Sequence, residues 1–514
     1  MHDEARAPDV NVRAERTKPY GLESSPEGAS LSQHGGLAPC ENRPVLSVEE
    51  ALERILATVR VLEPERVPLL AAAGRVLAKA VTADQDIPPL TNSAMDGYAV
   101  RGPDLAPCSG RSPTESSVRL RVVGEVAAGH VSRVRVEPGT AVRIMTGAPL
   151  PAGADTVVRF EDTRRDGDWV EVLKAPPTGA NVRPAGEDVH AGQVVLRPGQ
   201  VLRPQEIGML AAVGRVEVAV VRRPRVAVLA TGDEIVPPDQ TPGPGQIRDA
   251  NSYTVAAQVQ AFGGVPLLLG VARDREEWVQ RGMWEALAQR ADFIITSGGV
   301  SVGDFDLVKQ VLAAEGEMHF WSLNVKPGRP LAFGQIRLPP QQGGQGGRGL
   351  PSQRGRAGGG LPPASGGGGG VGVPLLGLPG NPVAAMVSTE LFARPALLKM
   401  QGFTDWSRPT LQARLTQPIA RKDGRRHYLR VRLRETETGY EATLTGDQGS
   451  GILYSLVQAD GLAVIPEEAD HLPAGAEVEV LLLSRVGRVS QAKTSEVSTR
   501  SFSGPKLLQT DASG

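Results

Sequence analysis

Val48, Leu52, Ile55 and Val59 recur at intervals of three or four residues directly behind Ser47-Val-Glu-Glu50. That spacing gathers apolar side chains on one stripe of a helix, and a serine with a glutamate three residues later forms a capping box at its start. From about residue 82 to 186 the pattern shortens to alternating runs such as VRLRVVGEV and TAVRIM, separated by turn residues; this predicts a small β domain. Beyond about 222 the runs become continuously apolar, each followed by a helical period: RVAVLAT, NSYTVAAQVQAF, VPLLLGVA, a helix over 275–289, then ADFIITS. Strands buried on both faces and alternating with helices predict an α/β domain with a parallel-type sheet. After about 406, YLRVRLRET, GYEATLTG, DGLAVIPE and EVEVLLL predict a second small β domain. The fold class is therefore α/β plus β, in several domains.

Between 338 and 373 lies QQGGQGGRGLPSQRGRAGGGLPPASGGGGG, whose composition cannot bury enough apolar surface to offset its chain entropy. Strand-like LAFGQIRL precedes it and VPLLGLPG follows, so both flanks are expected in one domain, which tolerates a long excursion at modest closure cost. Residues 1–44 and 486–514 lack periodicity and are expected to be disordered tails.

The 514 residues carry a formal net charge of −1 and only two cysteines, Cys40 and Cys108. The balance gives no reason to expect a nucleic acid or a membrane surface as partner. Two cysteines are too few for a disulfide framework, the start MHDEARAPDV is not an export signal, and no apolar run nears the ~20 residues of a spanning helix; a soluble, cytoplasmic protein is expected.

Ligands of open parallel sheets bind at the carboxyl ends of strands, which directs attention to the loops after RVAVLA and ADFII. The second loop runs Thr296-Ser-Gly-Gly-Val-Ser-Val-Gly-Asp-Phe-Asp306. Gly298, Gly299 and Gly303 would let the backbone approach an anion, and Thr296, Ser297 and Ser301 would add hydroxyl donors, as in a phosphate cradle. Asp304 and Asp306 have a spacing that suits Mg²⁺, although Asp306 could simply cap the following helix. Thr231-Gly-Asp-Glu234 sets two carboxylates at a strand end. Asp274 opens Asp274-Arg-Glu-Glu277, where capping box and metal ligand are equally good readings. Lys326-Pro-Gly-Arg329-Pro330 fixes two cations on a stiff turn that could hold an oxyanion or stay a solvated basic turn. Gly377-Leu-Pro379-Gly-Asn381-Pro382 alone says only turn and helix start.

Taken in order, PPLTNSAMDGYAVR, RIMTGAPLPAGADTVV, NVRPAGEDVHAG, LATGDEIV, TSGGVSVGDFD, KPGRPLAFG and GLPGNPVA resemble the molybdopterin molybdenumtransferases, whose members include the E domain of gephyrin. The likeness runs from about Pro44 to Arg485. It implies a molybdopterin-binding α/β domain over 222–405, an inserted β domain over 82–186, a linker and dimerisation domain from 45–81 with 187–221, and a C-terminal barrel over 406–485. It implies insertion of molybdate into adenylylated molybdopterin with Mg²⁺ and release of AMP, acidic functional positions at Asp96, Asp188, Glu234, Asp274 and Asp306 joined by Thr146 and Arg183, and Arg430 and Ser450 near the oxyanion site. It further implies an elongated homodimer in which Asp96 and Thr146 face the partner's α/β domain, and transient contact with the adenylyltransferase of the same pathway. Ser322 stands where some members have Lys, and Ala384 where some have Ser. Related alternatives are an adenylyltransferase with a similar TSGG loop and a non-catalytic scaffold.

Overall fold

A computed structural model describes residues 45–108, 117–298, 316–336 and 372–483. Both tails and nearly all of the 338–373 segment lie outside the described residues.

The first helix, Val48–Thr58, has the expected capping box: the Glu50 amide donates to Ser47 Oγ at 3.1 Å and the Ser47 amide to Glu50 Oε2 at 2.8 Å. Its buried face, Val48, Ala51 and Ile55, packs with Trp321, Leu323, Phe392 and Leu397, and the preceding Val45–Leu46 pairs in parallel with Ser322 and Leu323. This segment, grouped in the sequence with the linker, instead completes the α/β core. Its apolar stripe is the reason: it finds a partner surface on the α/β sheet.

That sheet has seven strands in the order Val45–Leu46, Gly316–Leu323, Pro330–Ile336, Val373–Leu378, Phe293–Ser297, Arg225–Thr231 and Val265–Ala272. The last four run parallel to one another. Gly316–Leu323 and Pro330–Ile336 form an antiparallel hairpin, and Pro330–Ile336 pairs antiparallel with Val373–Leu378. The sheet is thus mixed rather than wholly parallel, because the hairpin carrying KPGRP pairs antiparallel with its neighbour. Ile336 sits opposite Val373, so the chain leaves and re-enters the sheet at neighbouring positions around the Gly-rich segment; that segment ends before Val373, already a strand residue.

Five strands, Arg426–Thr436, Gly439–Leu444, Thr410–Leu415, Glu477–Leu482 and Gly461–Ile465, close into a barrel. Alternation along Arg426–Thr436 sends Leu429, Val431 and Leu433 into the barrel and Tyr428 onto the α/β core. A six-stranded sheet spans 97–172 with apolar residues on both faces. It is joined to the rest by short pairings, Pro64–Pro68 with Glu217–Val221 and Val81–Thr82 with Val194–Leu196. Among the described residues no helix is long and apolar enough to cross a membrane.

Candidate functional site

Parallel pairing brings four strand tips into line: Ala230 lies opposite Ser297, Ser297 opposite Leu378, and Thr231 opposite Ala272. The loops leaving these tips form one wall of a cleft of about 1500 Å³, contributing Glu234, Asp274, Ser297, Gly298, Pro379 and Asn381. Gly298 has φ +95°, and a Cβ there would lie 2.5 Å from the Thr231 carbonyl oxygen, so this crossing of two strand tips admits no side chain. The Gly298 amide donates to the Leu378 carbonyl at 3.2 Å; the residue serves close approach rather than supplying a free N–H. Thr296 does not line the cleft. It is fully buried, since strand alternation turns it to the face opposite Ser297. Gly299, Ser301, Gly303, Asp304 and Asp306 lie outside the described residues.

Asp274 is exposed on the cleft rim, and the helix Glu276–Ala288 begins instead from Arg275, with no side-chain cap. The capping reading fails because Asp274 belongs to the loop, where its amide donates to Asp233 Oδ1 at 3.3 Å. Neither Glu234 nor Asp274 has an ion-pair partner among the described residues. Two unneutralised carboxylates on adjoining tips offer hard oxygen ligands of the kind Mg²⁺ takes.

The facing wall is cationic. Val325 and Lys326 pair in parallel with Arg426 and His427 of the barrel, which fastens the KPGRP turn against it. Arg329 Nε donates to Ser322 Oγ at 2.9 Å, so the serine flagged as a departure holds the arginine of the turn. Lys326, half exposed, lies 3.6 Å from Asp423. Asp423 also accepts from Arg425 at 2.7 Å and contacts His427 Nε2 at 2.8 Å. Burial pushes the Asp423 carboxyl up, but the hydrogen bonds and charges of His427 and Arg425 outweigh it and hold the group well below the carboxylate range. Burial lowers the His427 pKa despite Asp423, and it pushes the Tyr428 hydroxyl up to about 12.

Arg430 is 1% exposed, yet it lines the cleft. Its Nε donates to Ser455 Oγ at 2.8 Å, Nη1 to the Gln448 carbonyl at 3.2 Å, and Nη2 to the carbonyls of Asp447 and Gly449 at 3.1 and 3.0 Å. No carboxylate pairs with it among the described residues, and burial lowers its pKa. Arg430 therefore shapes the 447–451 loop that presents Ser450. Asn381 precedes the helix Pro382–Ser388 without capping it; its Nδ2 donates to Ser450 Oγ at 3.1 Å instead, joining the α/β domain to the barrel loop. Arg425, His427 and Gln448, together with Asp423 behind them, were not singled out from sequence, since only the barrel's closure brings the first three to the cleft.

Asp96, Thr146, Arg183 and Asp188 do not reach this cleft within one chain. They belong to turns of the N-terminal β region, where Asp96 Oδ1 accepts from the Thr146 amide at 2.6 Å and its hydroxyl at 2.7 Å. These two bonds, backbone first, lower the Asp96 pKa. Arg183 pairs with Asn92 on the adjoining strand, and both Arg183 and Asp188 are exposed.

Three family models match: MoeA N-terminal region (domain I and II) over 46–214, probable molybdopterin binding domain over 227–399, and MoeA C-terminal region (domain IV) over 412–483. The chain is 36% identical to a molybdopterin molybdenumtransferase of Nostoc sp., over 86% of this chain and 94% of that one. It is equally identical to molybdopterin molybdenumtransferase 2 of Mycobacterium tuberculosis, over 84% and 98%. A solved molybdopterin biosynthesis MoeA protein from Pyrococcus horikoshii superposes with TM-score 0.66 at 30% identity, covering 85% of this chain and 100% of that chain.

Proposed function

Because the chain belongs to the molybdopterin molybdenumtransferase family, we propose that it inserts molybdate into adenylylated molybdopterin, releasing AMP and yielding molybdenum cofactor as the last step of that synthesis. One observation carries this reading: a single cleft sets unpaired carboxylates on one wall and clustered cations on the other. A diphosphate with a divalent cation suits the first, and an oxyanion the second.

In this reading Glu234 and Asp274, joined by Asp304 and Asp306, would hold Mg²⁺, which when bound would neutralise charge on the phosphoryl group being cleaved. Ser297 donates to diphosphate oxygens. Gly298 keeps the backbone close to them, Gly299 and Gly303 would do the same, Ser301 would add a hydroxyl donor, and Thr296 braces the strand from its buried face. Lys326 and Arg329 draw molybdate in by charge, Ser450 donates to it, and Arg430 and Asn381 hold that serine in place. Pro379 stiffens the turn between the two seats. A homodimer would bring Asp96, Thr146, Arg183 and Asp188 from a second copy to the open side of the cleft. We assign the reaction to the cytoplasm, with transient delivery of substrate by the adenylyltransferase.

The test incubates purified protein with adenylylated molybdopterin, molybdate and Mg²⁺, following AMP and active cofactor together. Release of AMP dependent on molybdate supports the reading. Consumption of ATP in a parallel mixture of unadenylylated molybdopterin, ATP and Mg²⁺ would instead make the protein an adenylyltransferase, and no turnover in either mixture a scaffold.

A further inference from the structure

Asn251, the first residue of the helix Asn251–Ala261, lines the cleft but was not singled out from sequence. Its side chain does not cap. Nδ2 donates to Ser297 Oγ at 2.7 Å and to the Gly380 carbonyl at 2.7 Å. The second bond fixes the amide's orientation, because a carbonyl accepts only from the nitrogen end. One NH₂ group thus binds the tip of Phe293–Ser297 to the turn after Val373–Leu378.

The polarity of the first bond matters for what Ser297 can do. A hydroxyl has one proton to donate and two lone pairs. With an amide N–H directed at a lone pair, the Ser297 proton remains for the cleft. The same arrangement recurs on the other wall, where Asn381 Nδ2 donates to Ser450 Oγ at 3.1 Å. Two serines on opposite walls are each held by an asparagine N–H, and each is thereby biased to donate. An anion offers acceptors only, so a hydroxyl held as a donor suits phosphate or molybdate oxygens, to which its bond is charge-assisted.

We propose that Asn251 is a positioning residue that sets Ser297 as a hydrogen-bond donor to the diphosphate of adenylylated molybdopterin. The proposal rests on the functional reading above and extends it to a residue outside the motifs that carry the family likeness. Asn251→Asp keeps the shape and can keep a bond to Ser297, but reverses it: the carboxylate takes the serine proton and faces the Gly380 carbonyl without a donor. Asn251→Ala removes both bonds without adding charge.

The experiment measures equilibrium binding of adenylylated molybdopterin by calorimetry, AMP release, and half-saturating molybdate for the full chain and for Asn251→Ala, Asn251→Asp, Ser297→Ala and the Asn251→Ala/Ser297→Ala double variant. The expected result is about tenfold weaker binding of the nucleotide for Asn251→Ala, the loss of roughly one charge-assisted hydrogen bond. Asn251→Asp should bind weaker still, and half-saturating molybdate should stay within about twofold of the full chain for both. In the Ser297→Ala background the Asn251→Ala change should add little, since the two act through one hydroxyl. Unchanged nucleotide binding, full additivity with Ser297→Ala, or an equal loss of molybdate and nucleotide affinity would each overturn the proposal. If the unsubstituted protein binds the nucleotide but releases no AMP, the transferase reading fails while the binding comparison still decides the role of Asn251.

Discussion

Replacing Arg430 by Met tests whether a buried guanidinium acts on the oxyanion seat through the loop it holds. The side chain makes four donor contacts, three of them to successive carbonyls of residues 447–449. Each such bond contributes roughly 1 kcal/mol net once the cation's dehydration is set against it. Residues 448–450 are only half-buried, so water satisfies part of what is lost, and we expect a destabilisation of about 2–3 kcal/mol. Urea unfolding followed by far-ultraviolet circular dichroism checks this, with the midpoint shifting and the slope unchanged. Loss of loop order should also raise half-saturating molybdate about tenfold, equivalent to ~1.4 kcal/mol. In a Ser450→Ala background the same replacement should cost markedly less, because both changes remove one presented hydroxyl. Full additivity of the two kinetic effects, with stability unaltered, would refute the reasoning and make Arg430 a direct anion ligand.

Gly298→Ala should abolish AMP release and lower stability by about 1–3 kcal/mol, because its Cβ meets the Thr231 carbonyl at a positive φ; unchanged melting and turnover would mean the tips can separate freely. Lys326→Met should raise half-saturating molybdate about tenfold and weaken its salt dependence, since a charge near 4 Å from a dianion is worth on the order of 1–2 kcal/mol even in water-like surroundings. Stability should fall on acidification through two groups of the cationic wall. His427 has a lowered folded pKa, so the unfolded chain binds its proton first and stability drops as pH falls below about 6.5; Asp423, also lowered, adds a further loss below about 4. His427→Gln should remove the upper part of that profile in melts taken between pH 4 and 8, and an unaltered profile would exclude it as the source. Glu234→Gln should raise half-saturating Mg²⁺ with little change in melting temperature, and an unchanged Mg²⁺ response would remove that carboxylate from the metal site.

The α/β domain was legible because strands such as Arg225–Thr231 and Phe293–Ser297 are buried on both faces and leave uninterrupted apolar runs. The placement of Glu234, Asp274 and Ser297 on one cleft followed from the same rule, since parallel strands end on one edge. Thr296 shows where attention to residue type overrode period: it alternates with Ser297, so only one of the two could face a ligand. The antiparallel hairpin was illegible because its turn is stiff and basic, with no alternation to distinguish it from a loop between parallel strands. Asn251 and Asp423 escaped for another reason. An amide at a helix start and an acid in a charged turn have ordinary local explanations, and partners such as Ser297, Gly380 and Lys326 come from distant elements.

The mixed sheet has a chemical consequence. Were Lys326 and Arg329 on a loop beside Glu234 or Asp274, the ion pairs formed would cancel both the metal ligands and the oxyanion seat. Parallel strand tips carry the acids, whereas the antiparallel hairpin and the barrel carry the cations, and Lys326 finds its carboxylate partner, Asp423, within its own wall. The two walls are joined by neutral contacts instead, Asn381 to Ser450 and the Val383 amide to the Ser450 carbonyl. Arg248, the cation on the acidic wall, donates to the Gln240 carbonyl rather than to Glu234 or Asp274, so both carboxylates keep capacity for a cation, and the joint between the walls carries no charge that a diphosphate or an oxyanion would have to displace.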